Sequence, residues 1–117
     1  MNIIYKCPRW VIALLEDIES EIARIYWNKN QKEWTSAFRN TGDEYIGKCF
    51  EVHAYSWADE PDYDFNFKCG DIEISWYKHV SRGTMINISP NEAGFKERII
   101  KMYERVIAEL DSQEVDL

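Results

Sequence analysis

The sequence predicts an α+β protein: a four-stranded antiparallel meander with N- and C-terminal helices packed on one face (α-β-β-β-β-α). Three observations predict it. Apolar residues recur at three-to-four spacing toward each end of the chain. Between Phe50 and Ile88 the pattern changes to strict alternation. Turn-forming residues punctuate the alternating runs at hairpin spacing. With 117 residues there is length for one core, so 1–117 is expected to form a single domain.

After the apolar lead Ile3-Ile4-Tyr5, Pro8 suits the first position of a helix, where its missing N–H has no partner to lose. Val11, Leu15, Ile18, Ile22 and Ile25 then form a stripe over about residues 8–27, which Asn28-Lys29-Asn30 ends. Residues 32–38 (KEWTSAF) have the composition for one or two helical turns that bury Trp34 and Phe38. Asn40-Thr41-Gly42 turns the chain, with Gly42 able to supply a positive φ.

The first strand is expected over about 45–57, with Phe50, Val52 and Ala54 alternating against Glu51, His53, Tyr55 and Trp57. In the second, about 63–68, Phe65 and Phe67 alternate with Asp64, Asn66 and Lys68. Ile72, Ile74 and Trp76 mark the third (about 72–78), and Ile86 and Ile88 the fourth (about 84–88). Cys69-Gly70 fits a tight turn, and Val80 to Gly83 a longer one. Matching like-facing residues pairs Tyr55 with Asn66 and Glu73, and Trp57 with Asp64, Ser75 and Asn87. Ser89-Pro90-Asn91-Glu92 reads as a capping box for the second helix, although Gly94 allows a later start. Its stripe is Phe95, Ile99, Met102, Tyr103, Val106 and Leu110. The acidic tail from Asp111 is expected to fray.

The net charge is −7, which argues against direct binding to nucleic acid or an anionic membrane, since both require a basic face. Residues 41–75 hold two basic and nine acidic residues, so the whole surplus falls within the first three expected strands and their turns. Cys7, Cys49 and Cys69 are odd in number and widely spaced, which points to a reducing, cytoplasmic setting. No apolar run reaches the roughly 20 residues of a membrane span, and no signal-peptide pattern is visible.

Chemistry-bearing motifs are sparse. Phosphate-binding glycine patterns are absent. Cys49 and His53 share a strand face but stand about 13 Å apart, and no second pair of ligands accompanies them, so neither a metal nor a cofactor is expected. His53 and His79 lack a neighbouring nucleophile in a recognisable setting and read as solvated side chains. What stands out is a mixture of rings and carboxylates. Rigid aromatics suit the centre of a contact surface, and rim carboxylates speed encounter with a basic partner. The expected contact residues are Tyr55, Trp57, Asp59, Glu60, Asp62, Tyr63, Asp64, Asp71, Glu73 and Tyr77. A plain solubilising sheet face has the same composition, so both readings stand at this level.

In profile (short, acidic, rich in Trp and Tyr, without an active-site motif) the chain resembles the small inhibitors carried by phages and mobile elements. Anti-CRISPR, anti-restriction and nuclease-immunity proteins are among them. This likeness lies in composition and covers no motif. It implies a non-enzymatic inhibitor that occludes a basic, nucleic-acid-handling surface of a protein partner such as a nuclease. The alternatives are a small ligand-binding or enzymatic domain with a pocket between the first helix and the sheet, and a homo-oligomer paired through strand edges or the Trp34 and Trp57 aromatics.

Overall fold

The structure, a computed structural model, describes residues 2–4, 9–36, 40–57, 62–79, 83–89 and 94–115. The elements in order are β1 (Asn2–Ile4), α1 (Arg9–Asn30), β2 (Gly42–Ile46), β3 (Glu51–Ser56), β4 (Tyr63–Cys69), β5 (Ile72–His79), β6 (Gly83–Ser89) and α2 (Phe95–Val115). The class is α+β, as the periodicities predict. The sheet, however, has six strands rather than four, in the order β1-β6-β5-β4-β3-β2, with every neighbouring pair antiparallel.

Two departures account for the difference. The apolar lead is an edge strand on β6, Ile4 opposite Ile86. The long first strand is two strands folded back at Gly47–Phe50, where the Gly47 N–H donates to the Phe50 carbonyl at 2.8 Å. That hairpin is secured from a distance: Glu109 of α2 accepts the backbone N–H groups of Lys48 (2.8 Å) and Cys49 (2.9 Å). Gly47 leaves room for this carboxylate, because a Cβ there would collide with Glu109 and approach the Phe50 ring to 2.9 Å.

The stripe Val11, Leu15, Ile18, Ile22 and Ile25 is buried as expected. α1 continues to Asn30 and stops where Gln31 enters the left-handed region (φ 56°), its N–H returning to the Trp27 carbonyl. Residues 31–36 form turns rather than helix, with Trp34 buried; Phe38 lies outside the described residues. The positive φ near the next turn belongs to Asn40, not Gly42. Ser89 ends β6 instead of capping α2, and 90–93 lie outside the described residues. The helix begins beyond Gly94 (φ 82°), whose carbonyl receives the Arg98 N–H. Helix then persists to Val115, past Asp111, and 116–117 lie outside the described residues.

Both helices lie on one face of the sheet, and their stripes share a single core with Phe65, Phe67, Ile74, Trp76, Ile86 and Ile88. They run parallel to one another. Trp10 meets Phe95 near their starts, Tyr103 donates to Asp17 midway, and Lys29 donates to Gln113 near their ends. α2 spans from the β4–β5 turn, through Arg98–Asp71, to the β2–β3 turn, through Glu109. α1 spans from Lys78 on β5, through Glu19, to Asp43 on β2, through Tyr26. The result is a two-layer slab with extents of 41 × 37 × 19 Å. Among the described residues no helix is long and apolar enough to cross a membrane.

Candidate protein-binding face

The registers place the outward side chains in three rows. Gly42, Tyr55, Asp64, Tyr77 and Met85 lie opposite one another across β2 to β6. Glu44, His53, Asn66, Ser75 and Asn87 form the second row, and Ile46, Glu51, Lys68, Glu73 and Ser89 the third. The expected pairing of Ser75 with Asn87 is met. Tyr55, by contrast, faces Asp64 rather than Asn66, and Asn66 faces Ser75 rather than Glu73. The two-residue shift at β4–β5 follows from the turn: Cys69 pairs with Ile72, so Gly70 and Asp71 form the loop. Gly70 takes the positive φ (62°) that a tight hairpin requires at its first central position.

The first row is an aromatic stripe on a face that no described helix covers. Tyr55 is 36% exposed, Trp57 47% and Met85 44%, all large apolar surfaces turned to solvent. Trp57 packs edge-on against Tyr55 at 4.9 Å, and its Nε1–H reaches Asp64 Oδ2 at 3.3 Å. The other Asp64 oxygen faces His79 Nε2 at 3.5 Å, while His79 Nδ1 faces Asp62 at 3.5 Å. Asp62 is buried, and the His79 side chain is only 19% exposed. His79 is therefore packed between two carboxylates and not the solvated residue its hairpin position suggested. His53 stays half exposed between Glu44 (3.4 Å) and Glu51 (3.9 Å).

The ten expected contact residues divide. Tyr55, Trp57, Asp64 and Tyr77 come together on the stripe, with Asp62 beneath its end. Glu73 faces outward in the third row beside Lys68, at 3.8 Å. Asp71 sits in the β4–β5 turn, where Arg98 holds both its oxygens (2.7 and 2.6 Å) and, by that hydrogen bond, keeps its pKa below the ordinary value. Tyr63 shares the inward face with Phe65 and is no surface anchor: its hydroxyl accepts the Trp34 Nε1–H at 3.0 Å. Asp59 and Glu60 lie outside the described residues. The acidic block is thus partitioned. Asp43 turns inward, Asp71 is tied to a helix arginine, and Glu44, Glu51, Asp64 and Glu73 remain on the outer face with Lys68 among them.

Composition gave no sign of a second polar cluster, on the helix side. Lys78 reaches Glu19 at 3.5 Å and lies over the rings of Trp76 (4.2 Å) and Tyr63 (5.0 Å). Burial, and then the Glu19 carboxylate, raise the Tyr63 pKa. Lys78 shares its face with Trp76, and that parity was the available signal. Otherwise the described residues buried between α1 and the sheet belong to the hydrophobic core. Among the described residues no group of three or more His, Cys, Asp or Glu could hold a metal ion.

Fold and face together define a two-layer α+β protein with a ring-and-carboxylate stripe on its open side. Comparison with protein-family models, with curated proteins and with solved structures finds no match.

Proposed function

We propose that this is a non-enzymatic binding protein that docks the open face of its sheet on a basic surface of a partner protein. The surface in view is the nucleic-acid-handling groove of a nuclease or related effector, which docking would occlude. The observation that carries the reading is the cluster of Tyr55, Trp57, Asp64, Tyr77 and Met85 on the face opposite both helices, with Tyr55, Trp57 and Met85 exposed and Asp64 and Tyr77 half-buried. Rings held on adjacent strands present large contact area at little cost in side-chain entropy. Glu44 in the second row and Glu51 and Glu73 in the third flank the stripe on one side of that face, so a basic partner is drawn in and an acidic one repelled. A pocket between α1 and the sheet has less to stand on, because the described residues buried there belong to the hydrophobic core.

The test is capture from host lysate on immobilised wild-type protein, on the pair Trp57→Ala/Tyr77→Ala, and on Glu44→Lys/Asp64→Lys. The expected result is one basic protein, retained at low salt, weakened at moderate salt, and lost from both variants. Adding the wild-type chain should then suppress that protein's binding to nucleic acid. Capture that survives both variants, or a captured protein that still binds nucleic acid normally, would overturn the reading.

A further inference from the structure

We propose that β2, one free edge of the sheet, accepts an extended lysine- or arginine-bearing segment of the partner as an additional strand. This rests on the reading above and names the element of the partner that would engage. The hydrogen-bond phase of β2 makes the case. The Ser56 N–H donates to the Thr41 carbonyl at 2.9 Å and the Gly47 N–H to the Phe50 carbonyl at 2.8 Å. In an antiparallel ladder bonded pairs alternate with unbonded ones. Asp43 and Tyr45 therefore bond to β3, whereas the N–H and C=O groups of Gly42, Glu44 and Ile46 point away from the sheet. None of these groups has a partner among the described residues, and all three residues are exposed. Such a row of unpaired peptide groups is a template for strand addition.

The side chains on this edge select the occupant. Glu44 stands at its centre on the outer face, with Glu51 on the neighbouring strand, so a basic residue opposite Glu44 is favoured. Ile46, at 60% exposure, offers an apolar neighbour at one end. Gly42 opens a groove of about 570 Å³ at the other, between Tyr26 on the helix side and Tyr55 on the outer side. A Cβ at Gly42 would press on the Tyr55 ring at 3.2 Å, so the glycine is what lets that ring lie against the edge. A second copy of the chain is disfavoured. In the antiparallel self-pairing that uses all three residues, Glu44 would fall opposite Glu44, and like charges directly opposite are destabilising.

The probe is a capped heptapeptide, Thr-Val-Thr-Lys-Thr-Tyr-Thr, which in antiparallel pairing sets its Val, Lys and Tyr opposite Ile46, Glu44 and Gly42. It would be titrated to millimolar concentration into ¹⁵N-labelled protein. The expected result is that the Gly42, Glu44 and Ile46 amides shift together and exchange roughly tenfold more slowly, as newly bonded amides do. The same peptide N-methylated at Val, Lys and Tyr, or carrying Glu for Lys, should leave them unchanged, as should Glu44→Lys in the protein. No shift at millimolar peptide, equal binding by the N-methylated peptide, or a wild-type dimer formed through β2 would overturn strand addition. Shifts confined to Trp57 and Tyr77 would also overturn it while leaving the face reading intact. That reading fails separately, by partner capture that survives the Trp57 and Tyr77 substitutions.

Discussion

The phenol of Tyr26 donates a 2.6 Å hydrogen bond to Asp43 Oδ1 and so ties α1 to the edge strand β2. Asp43 Oδ2 accepts the Thr35 backbone N–H at 2.5 Å and the Thr35 hydroxyl at 2.8 Å. Thr35 sits at φ 35°, a conformation that β-branched residues rarely adopt, and these two bonds hold it there. A single carboxylate therefore fixes the helix end, the following turn and the strand that leads to the open face.

That carboxylate gives the fold an acid limit. Burial acts to raise the Asp43 pKa, but the hydrogen bonds from Tyr26 and Thr35 and the charge of Lys32 outweigh it and bring it below the ordinary value. A depressed folded pKa stabilises the fold above the unfolded value of about 3.9, and that stability is lost as pH falls through the folded value. Asp43→Asn should cost roughly 1–3 kcal/mol at neutral pH, because an amide NH₂ replaces one acceptor and faces a donor. Its deficit relative to wild type should shrink below about pH 4. Denaturant unfolding from pH 7 to 3 checks this, and a constant deficit would contradict it.

Glu109 governs the chemistry of Cys49 as well as the β2–β3 hairpin. Burial first, and then the hydrogen bond and charge of Glu109, push the Cys49 thiol up to about 11. At pH 8 its thiolate should be scarcer than that of a free cysteine by roughly two orders of magnitude. A Cys7→Ser/Cys69→Ala background isolates the residue. There Cys49 should react with a disulfide reagent about a hundredfold more slowly than a cysteine peptide, and Glu109→Gln should speed it. Wild-type Cys49 reacting at the free-thiol rate would refute this account.

Much of this architecture was legible because it depends on local periodicity. The α1 stripe and the Phe65/Phe67, Ile74/Trp76 and Ile86/Ile88 alternations each reported one buried face. What escaped was set by partners far along the chain. The Gly47–Phe50 turn lacks the usual hairpin dipeptide and is held by a carboxylate on α2, so the run through it looked continuous. Moving the turn from Cys69-Gly70 to Gly70-Asp71 shifted the β4–β5 pairing by two residues, which preserves the buried face and leaves no trace in the pattern. Tyr63 stands among the expected contact residues, although its parity with Phe65 places it on the inward face.

The last turns of α2 are anchored to the rest of the protein at Leu110 and Gln113. Leu110 is fully buried, and Gln113 accepts from Lys29 at 3.0 Å. Leu110→Ala should cost about 2–4 kcal/mol through the cavity it leaves, whereas Gln113→Ala, at an exposed bond, should stay within about 0.5 kcal/mol. Thermal and denaturant unfolding of the two variants decide the matter. A Leu110→Ala loss under about 1 kcal/mol would mean that α2 ends earlier.

Tyr63 and Tyr77, on neighbouring strands, should separate stability from binding. Tyr63→Phe removes the acceptor of the buried Trp34 Nε1–H, so it should lower stability by roughly 1–2 kcal/mol. Because its ring faces the helices, partner capture should be unchanged once the protein is folded. Tyr77 lies outward between Asp64 and Met85, so Tyr77→Ala should leave the melting temperature within a few degrees and weaken capture roughly tenfold or more. Trp57→Ala should behave like Tyr77→Ala, with an added loss at Asp64, whose Oδ2 it bonds. If Tyr63→Phe weakened capture as much as Tyr77→Ala, the binding surface would have to include the helix side of the sheet, and the open-face assignment would fail.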